Sequence, residues 1–190
     1  MIFMTVEPIR DKEKIKQMYF CLNGRNPKYG LLFKMGLNTG LRISDILPIK
    51  KSDVYNAKGE FREYLIIKEK KTGKEKKIKI NNALQKSLSG YILLDEVKSQ
   101  SYLFYNMQTG SHLKRIQAYR ILKEAANNCG IENFGTHSMR KTWGYWTYKA
   151  SKFNIGLIMQ TFNHSSQTIT LRYIGINQDQ KDELYSLVQF

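Results

Sequence analysis

Residues 136–173 read THSMRKTWGYWTYKASKFNIGLIMQTFNHSSQTITLRY, and the rest of the chain takes its place around them. The stretch opens on Thr136-His137-Ser138-Met139-Arg140, passes through Asn163-His164-Ser165-Ser166 and closes on Leu171-Arg172-Tyr173. Met139, Trp143, Trp146 and Ala150 recur at helical spacing, which predicts a helix over 137–150 with one face on the core. Shorter helices are predicted over 154–161 and 166–174, separated by a turn at Asn163. Two histidines, an arginine and a tyrosine lie along these helices in an order that suits phosphoryl transfer through a covalent tyrosine.

Upstream, Asp11 is placed to cap a helix over 11–22 that turns Ile15, Met18, Tyr19 and Leu22 to one side. Asn23-Gly24-Arg25-Asn26-Pro27 is expected to break it. A second helix, roughly 28–38, runs up to Asn38-Thr39-Gly40. A short third, about 42–47, carries Ile43, Ile46 and Leu47 and stops at Pro48. The period then becomes two: Phe61, Leu65 and Ile67 alternate with polar residues, as do Ile78 and Ile80, with Lys71-Thr72-Gly73-Lys74 at the tip between them. Helices resume at about 82–94 and 113–128, the second expected to bury Ile116, Tyr119, Leu122 and Ala126 before Gly130. The pattern predicts one mostly α (α+β) domain over 1–190: a helical bundle flanked by a small three-stranded antiparallel sheet. An amphipathic helix over 178–190 presents Leu184, Leu187 and Val188 on one side.

The 31 basic against 16 acidic residues give a formal charge of +15. Such a surplus points to a polyanion, most simply nucleic acid, with an anionic membrane surface as the rival. A membrane-binding protein would carry its basic residues on an amphipathic helix, whereas many here cluster at the hairpin tip. Cys21 and Cys129 lack any CxxC spacing and read as buried thiols in the reducing cytoplasm. No run of about 18 apolar residues is present to span a bilayer, and residues 1–6 are too short for a signal peptide.

With Gly40-Leu41-Arg42-Ile43-Ser44-Asp45 added, the chain resembles the tyrosine recombinase (phage integrase) family over roughly residues 8–180. Arg42, three residues before Asp45, matches that family's first arginine. Lys71, before Thr72-Gly73, matches its hairpin lysine, and His137 and Arg140 form a His-x-x-Arg box. His164 precedes Tyr173 by nine residues, as a histidine or tryptophan precedes the nucleophile there. A lone His-x-x-Arg is weak; five parts in order are strong.

The resemblance implies a fold and a set of roles. Tyr173 attacks the scissile phosphate, Arg42 and Arg140 clamp its non-bridging oxygens, Lys71 protonates the leaving 5′ oxygen and His164 donates to the phosphate. Guanidinium suits the clamp because it offers a fixed fork of donors that stays charged. Tyrosine titrates near pH 10, so about one molecule in a thousand is ionised at neutral pH, a gap of roughly 4 kcal/mol. One cation about 4 Å away supplies that only at an effective dielectric near 20. Two arginines are thus able to activate Tyr173, with His137 as the proton acceptor that closes the remainder. Asp45 takes a supporting part, holding an arginine in place. Lys70, Lys74 and Lys141 are expected on DNA, while His112 matches nothing and is expected at the surface. The scheme uses no cofactor and no metal.

Duplex DNA is the expected partner. The resemblance also implies a tetramer on DNA held through the C-terminal helix, with DNA-bending factors as accessories. The usual N-terminal DNA-gripping domain is not matched by any part of this chain. Glycine usually precedes the second histidine, and Asn163 stands there instead; asparagine is the next residue to tolerate a positive φ. Two other functions fit the fold: a DNA-binding regulator without turnover, and a type IB topoisomerase-like relaxing enzyme. A mere binder has no need of a nucleophile, and the Gly-Leu-Arg-Ile-Ser-Asp and His-Ser-Ser wording favours a recombinase.

Overall fold

The computed structural model describes residues 6–94, 101–176 and 185–187. Asp11, in extended conformation, accepts the backbone N–H groups of Glu13 and Lys14 and so starts α1 (Lys12–Arg25). The break expected at residue 23 falls later, because Gly24 faces open space and is tolerated inside the helix. Asn26 ends α1 and caps α2 (Pro27–Thr39), whose first residue is a proline with no N–H to leave unpaired. Gly40 closes α2 in the left-handed region, at φ 60°. Two short turns follow, α3 (Ile43–Ile46) and α4 (Lys51–Val54). The alternating segment forms β1 (Tyr64–Lys68) and β2 (Glu75–Lys79), antiparallel, with Tyr64 opposite Lys79 and Lys68 opposite Glu75. Then come α5 (Asn82–Ile92), α6 (Arg115–Asn128), α7 (Ser138–Ala150), α8 (Ile155–Phe162) and α9 (Gln167–Tyr173).

Among the described residues the sheet has two strands, not three. Phe61 pairs instead with Tyr55 as a single bridge, and Arg62 N–H bonds to Val54 O. The helical turn of α4 holds Lys51–Val54, so too little extended chain is left there to make a third strand. A second unpredicted pairing, Tyr105 with His112, half-buries His112, whose ring meets Tyr102 edge-on. The expected C-terminal helix over 178–190 lies outside the described residues, apart from 185–187.

The core gathers along α2. Its Leu31, Leu32, Phe33 and Met35 are buried, and α2 packs against α1, α5 and α7. A Cβ on Gly36 would stand 2.7 Å from the Met139 sulfur, so the glycine sets how closely α2 and α7 approach. On α6 the buried face is Ala118, Leu122, Ala125 and Ala126. Ile116 and Tyr119, expected inside, are 64% and 40% exposed. Cys21 and Cys129 are half-buried neighbours rather than separate core thiols, and burial together with Cys21 raises the Cys129 pKa.

A smaller apolar cluster of Ile158, Phe162 and Ile174 packs with Trp143 and Tyr173. It joins α8 and α9 to α7 and thereby fixes the end of α9. Ahead of α1, residues 6–10 lie along α7. Ile9 N–H bonds to Thr142 Oγ1 at 2.8 Å, and Trp146 Nε1 donates to Ile9 O at 3.1 Å. Arg10 Nη2 donates to Glu7 Oε2 at 2.8 Å and to Gly175 O at 2.9 Å.

Candidate active site

Three backbone features bring the charged residues together. The left-handed turn at Gly40 presents its carbonyl to the Arg140 guanidinium, and a Cβ there would lie 2.5 Å from the Trp143 ring. Two residues on, Arg42 stands at the N-cap position of α3 with its side chain free of any capping bond. Arg140 itself lies in the first turn of α7, 2% exposed, with its guanidinium 4.2 Å from the centre of the Phe162 ring. Gly40 O and Phe162 O, the latter at 3.4 Å from Nη2, accept from it. This is a buried cation held by carbonyl dipoles and an aromatic face, with donors left over.

Asn163 ends α8 at φ 57°, the conformation expected of the glycine it replaces. The turn places His164 beside α9, where its Nδ1 lies 3.1 Å from Thr170 Oγ1. Thr170 spends its single proton on Ser166 O at 2.9 Å, so His164 donates from Nδ1 and its Nε2 is bare when neutral. The His164 and Tyr173 rings meet edge-on with centres 5.1 Å apart. Across from them, the Tyr173 hydroxyl lies 3.3 Å from His137 Nδ1, at the N-cap of α7.

Partial loss of solvation is the largest influence on both histidines, even though His137 keeps an exposed face, and depresses their pKa values, and Arg140 and Arg42 push them further down. Both are therefore neutral near pH 7 in the DNA-free protein. For Tyr173, burial raises the pKa, while Arg140 and Arg42 pull it back without overcoming that rise. The two arginines do not ionise the phenol by themselves, which leaves a part for a proton acceptor. A neutral imidazole in hydrogen-bond reach can take the proton instead.

The hairpin tip reaches the same place. Lys71 is exposed on the turn, as are Lys70 and Lys74. Lys74 Nζ donates to Asn163 Oδ1 at 2.9 Å, and Lys76 Nζ donates to Thr161 O at 2.9 Å, so the tip is pinned to the turn that carries His164. Lys141 is half-buried and donates to Val6 O. Asp45, expected to hold an arginine, is buried and accepts the Lys70 backbone N–H at 3.0 Å through Oδ1; its Oδ2 is unpaired.

The carboxylate on Arg42 is Glu69, at 3.0 Å from Nη1. Sequence reading passed over Glu69 and Lys76, yet the alternation holds a signal. Leu65 and Ile67 of β1 and Glu69 just past its end alternate inward, as do Lys76 and Ile78 of β2 and Ile80 just past its end, so a charge pair stands where the pattern calls for apolar residues. Burial, with Arg140 nearby, lowers Lys76 to a pKa of about 8 despite the Glu69 carboxylate 3.9 Å away. Burial acts to raise the Glu69 pKa, but the Thr72 hydroxyl, Arg42, Lys76 and Arg140 more than offset it and the net shift is downward.

Residues 11–180 match the phage integrase family. The probable integrase/recombinase YoeC of Bacillus subtilis (strain 168) is 42% identical over 182 residues, 96% of this chain and 96% of that protein. Among solved structures, XerA recombinase superposes with a TM-score of 0.74 at 18% identity, covering 98% of this chain and 68% of that one. XerH recombinase bound to palindromic difH in a post-cleavage complex gives 0.71 at 20% identity, covering 96% of this chain and 53% of that one. The chain thus spans about half the length of XerH. At these identities the structural matches show a common fold.

Proposed function

The chain belongs to the phage integrase family, which makes it a tyrosine recombinase, and we propose that it cleaves and rejoins DNA strands through a 3′-phosphotyrosine on Tyr173. The observation that carries this assignment is the contact between the Tyr173 hydroxyl and His137 Nδ1 at 3.3 Å, under the field of Arg140 and Arg42. In cleavage the phenol oxygen bonds to phosphorus and the bond from phosphorus to the 5′ oxygen breaks. The phenol proton passes to His137, and Lys71 gives the leaving oxygen its proton. A second 5′ hydroxyl reverses the steps on another strand; one ester replaces another, so no nucleotide is consumed.

The substrate phosphate cancels part of the arginine field, which makes a free phenolate harder to reach at the moment of attack. Transfer of the proton to a neutral His137 removes that obstacle. Arg42 and Arg140 then act where charge develops, on the non-bridging oxygens. His164 donates to the same oxygens only as imidazolium, because its Nδ1 proton is committed to Thr170; an arriving phosphate favours that charged form.

A nicked suicide duplex, drawn from a library of sequences and mixed with enzyme in chelator, tests the assignment. A covalent, denaturant-resistant adduct that forms with the wild type and not with Tyr173→Phe is expected. Salt-sensitive binding without any adduct would favour a DNA-binding regulator.

A further inference from the structure

Glu69 closes the hairpin turn with its main chain and reaches the phosphate clamp with its side chain. Its N–H donates to Lys74 O at 2.9 Å, and its carbonyl accepts from Gly73 N–H at 2.8 Å. The carboxylate, on a residue only 6% exposed, accepts from Arg42 Nη1 at 3.0 Å through Oε1 and from Thr72 Oγ1 at 2.8 Å through Oε2. Lys76 Nζ lies 3.9 Å from Oε1. A second tie runs the same way, from the Lys70 N–H to Asp45 Oδ1 at 3.0 Å. Arg42 precedes α3 and Asp45 lies within it, while Lys70 and Thr72 flank Lys71. Two carboxylates therefore join the helix that presents the first arginine to the turn that presents the hairpin lysine.

We infer that Glu69 is a positioning residue for strand cleavage: it locks Arg42 and the Lys71 turn into one unit, so that the leaving oxygen's proton donor is set where the phosphate is clamped. This rests on the strand-transfer reading above. Glu69 meets the guanidinium through a single nitrogen, which leaves most of its five N–H donors for a phosphate. Partners on three sides and burial keep the carboxylate in place as a fixed counter-ion. It also offsets the repulsion between Arg42 and Arg140, two like charges in one partly dry site.

Lys71 is itself exposed, so its aim depends on the turn, and the turn depends on the residue that closes it. Loss of the carboxylate should therefore appear in the step that needs Lys71. A duplex whose leaving 5′ oxygen is replaced by sulfur isolates that step, because a thiolate departs without a proton.

The experiment measures single-turnover adduct formation at saturating DNA on the ordinary and the sulfur-bridged duplex. Glu69→Ala should slow the ordinary substrate by about 30-fold or more with Kd within about threefold, and the deficit should shrink at least about tenfold on the sulfur substrate, as for Lys71→Ala. Glu69→Gln, which keeps a neutral acceptor for Arg42, should recover most of the rate. The double variant Glu69→Ala/Lys71→Ala should be no more than about threefold slower than Lys71→Ala alone. Thr72→Val gives a second probe with a milder cut, expected to show the same sulfur rescue in smaller measure. A Glu69→Ala rate within threefold of wild type, a deficit equal on both substrates, or full additivity in the double variant would overturn the inference. Absence of any adduct from the wild type on either duplex would instead overturn the strand-transfer reading beneath it.

Discussion

Tyr173 and its two histidines show how much one side chain's chemistry depends on its neighbours. His137 is depressed below the ordinary histidine range by partial desolvation and then by Arg140 and Arg42, so the base form persists below pH 6.5. The adduct-forming rate at limiting DNA reports the free enzyme, and its acid limb should therefore fall below about pH 6.5 and disappear in His137→Ala. A limb centred well above that value would show that another group sets it. At His164 the Thr170 contact leaves Nε2 bare in the neutral ring, whereas a tryptophan N–H donates at every pH. His164→Trp should keep the rate within about tenfold and flatten its alkaline decline, measured from pH 6 to 9. The identities of these residues were legible from their order along the chain. Their charge states were not, because spacing says nothing about burial, and burial outweighs the arginines at Tyr173.

Elements were legible where apolar spacing was regular and obscure where small residues made the contact. The α6 stripe was expected to use Ile116 and Tyr119, but the helix turns its alanines inward, since Ala118, Ala125 and Ala126 allow closer packing than bulky residues would. Leu122→Ala should then cost about 2–5 kcal/mol in urea unfolding, while Ile116→Lys should stay within about 0.5 kcal/mol. Comparable losses at both would restore the expected register. The Asn163 turn was legible, down to its left-handed φ of 57°. Asn163→Gly should leave stability within about 1 kcal/mol, and Asn163→Val should lose more than that, because a β-branched residue fits that region poorly. The inward Glu69 and Lys76 were hidden for a different reason. Alternation is read for apolar residues, and a buried ion pair interrupts the pattern it completes.

Across the whole molecule, the net charge of +15 favours encounter with a polyanion such as the proposed DNA substrate. If about six phosphates are contacted, log K against log salt should slope near −5, and a slope near zero would contradict a protein that reads the backbone. Fold class followed from the change of period between helices and hairpin. The two-strand count among the described residues did not, because the helical turn at residues 51–54 leaves Tyr55 only a single bridge to Phe61. The strap at residues 6–10 has a mechanical consequence. Arg10 holds the Gly175 carbonyl just beyond the helix that carries Tyr173, so residues 6–10 and 175–176 are fastened side by side. Tension applied at residue 6 would first load the Val6 and Glu7 contacts with Lys141 and Asn133, and tension applied at residue 176 would first load the Arg10 bond to Gly175 O. A pull from the 176 side thus reaches the turn that follows Tyr173 at once, whereas a pull from residue 6 meets the Lys141 and Asn133 contacts before it reaches that turn.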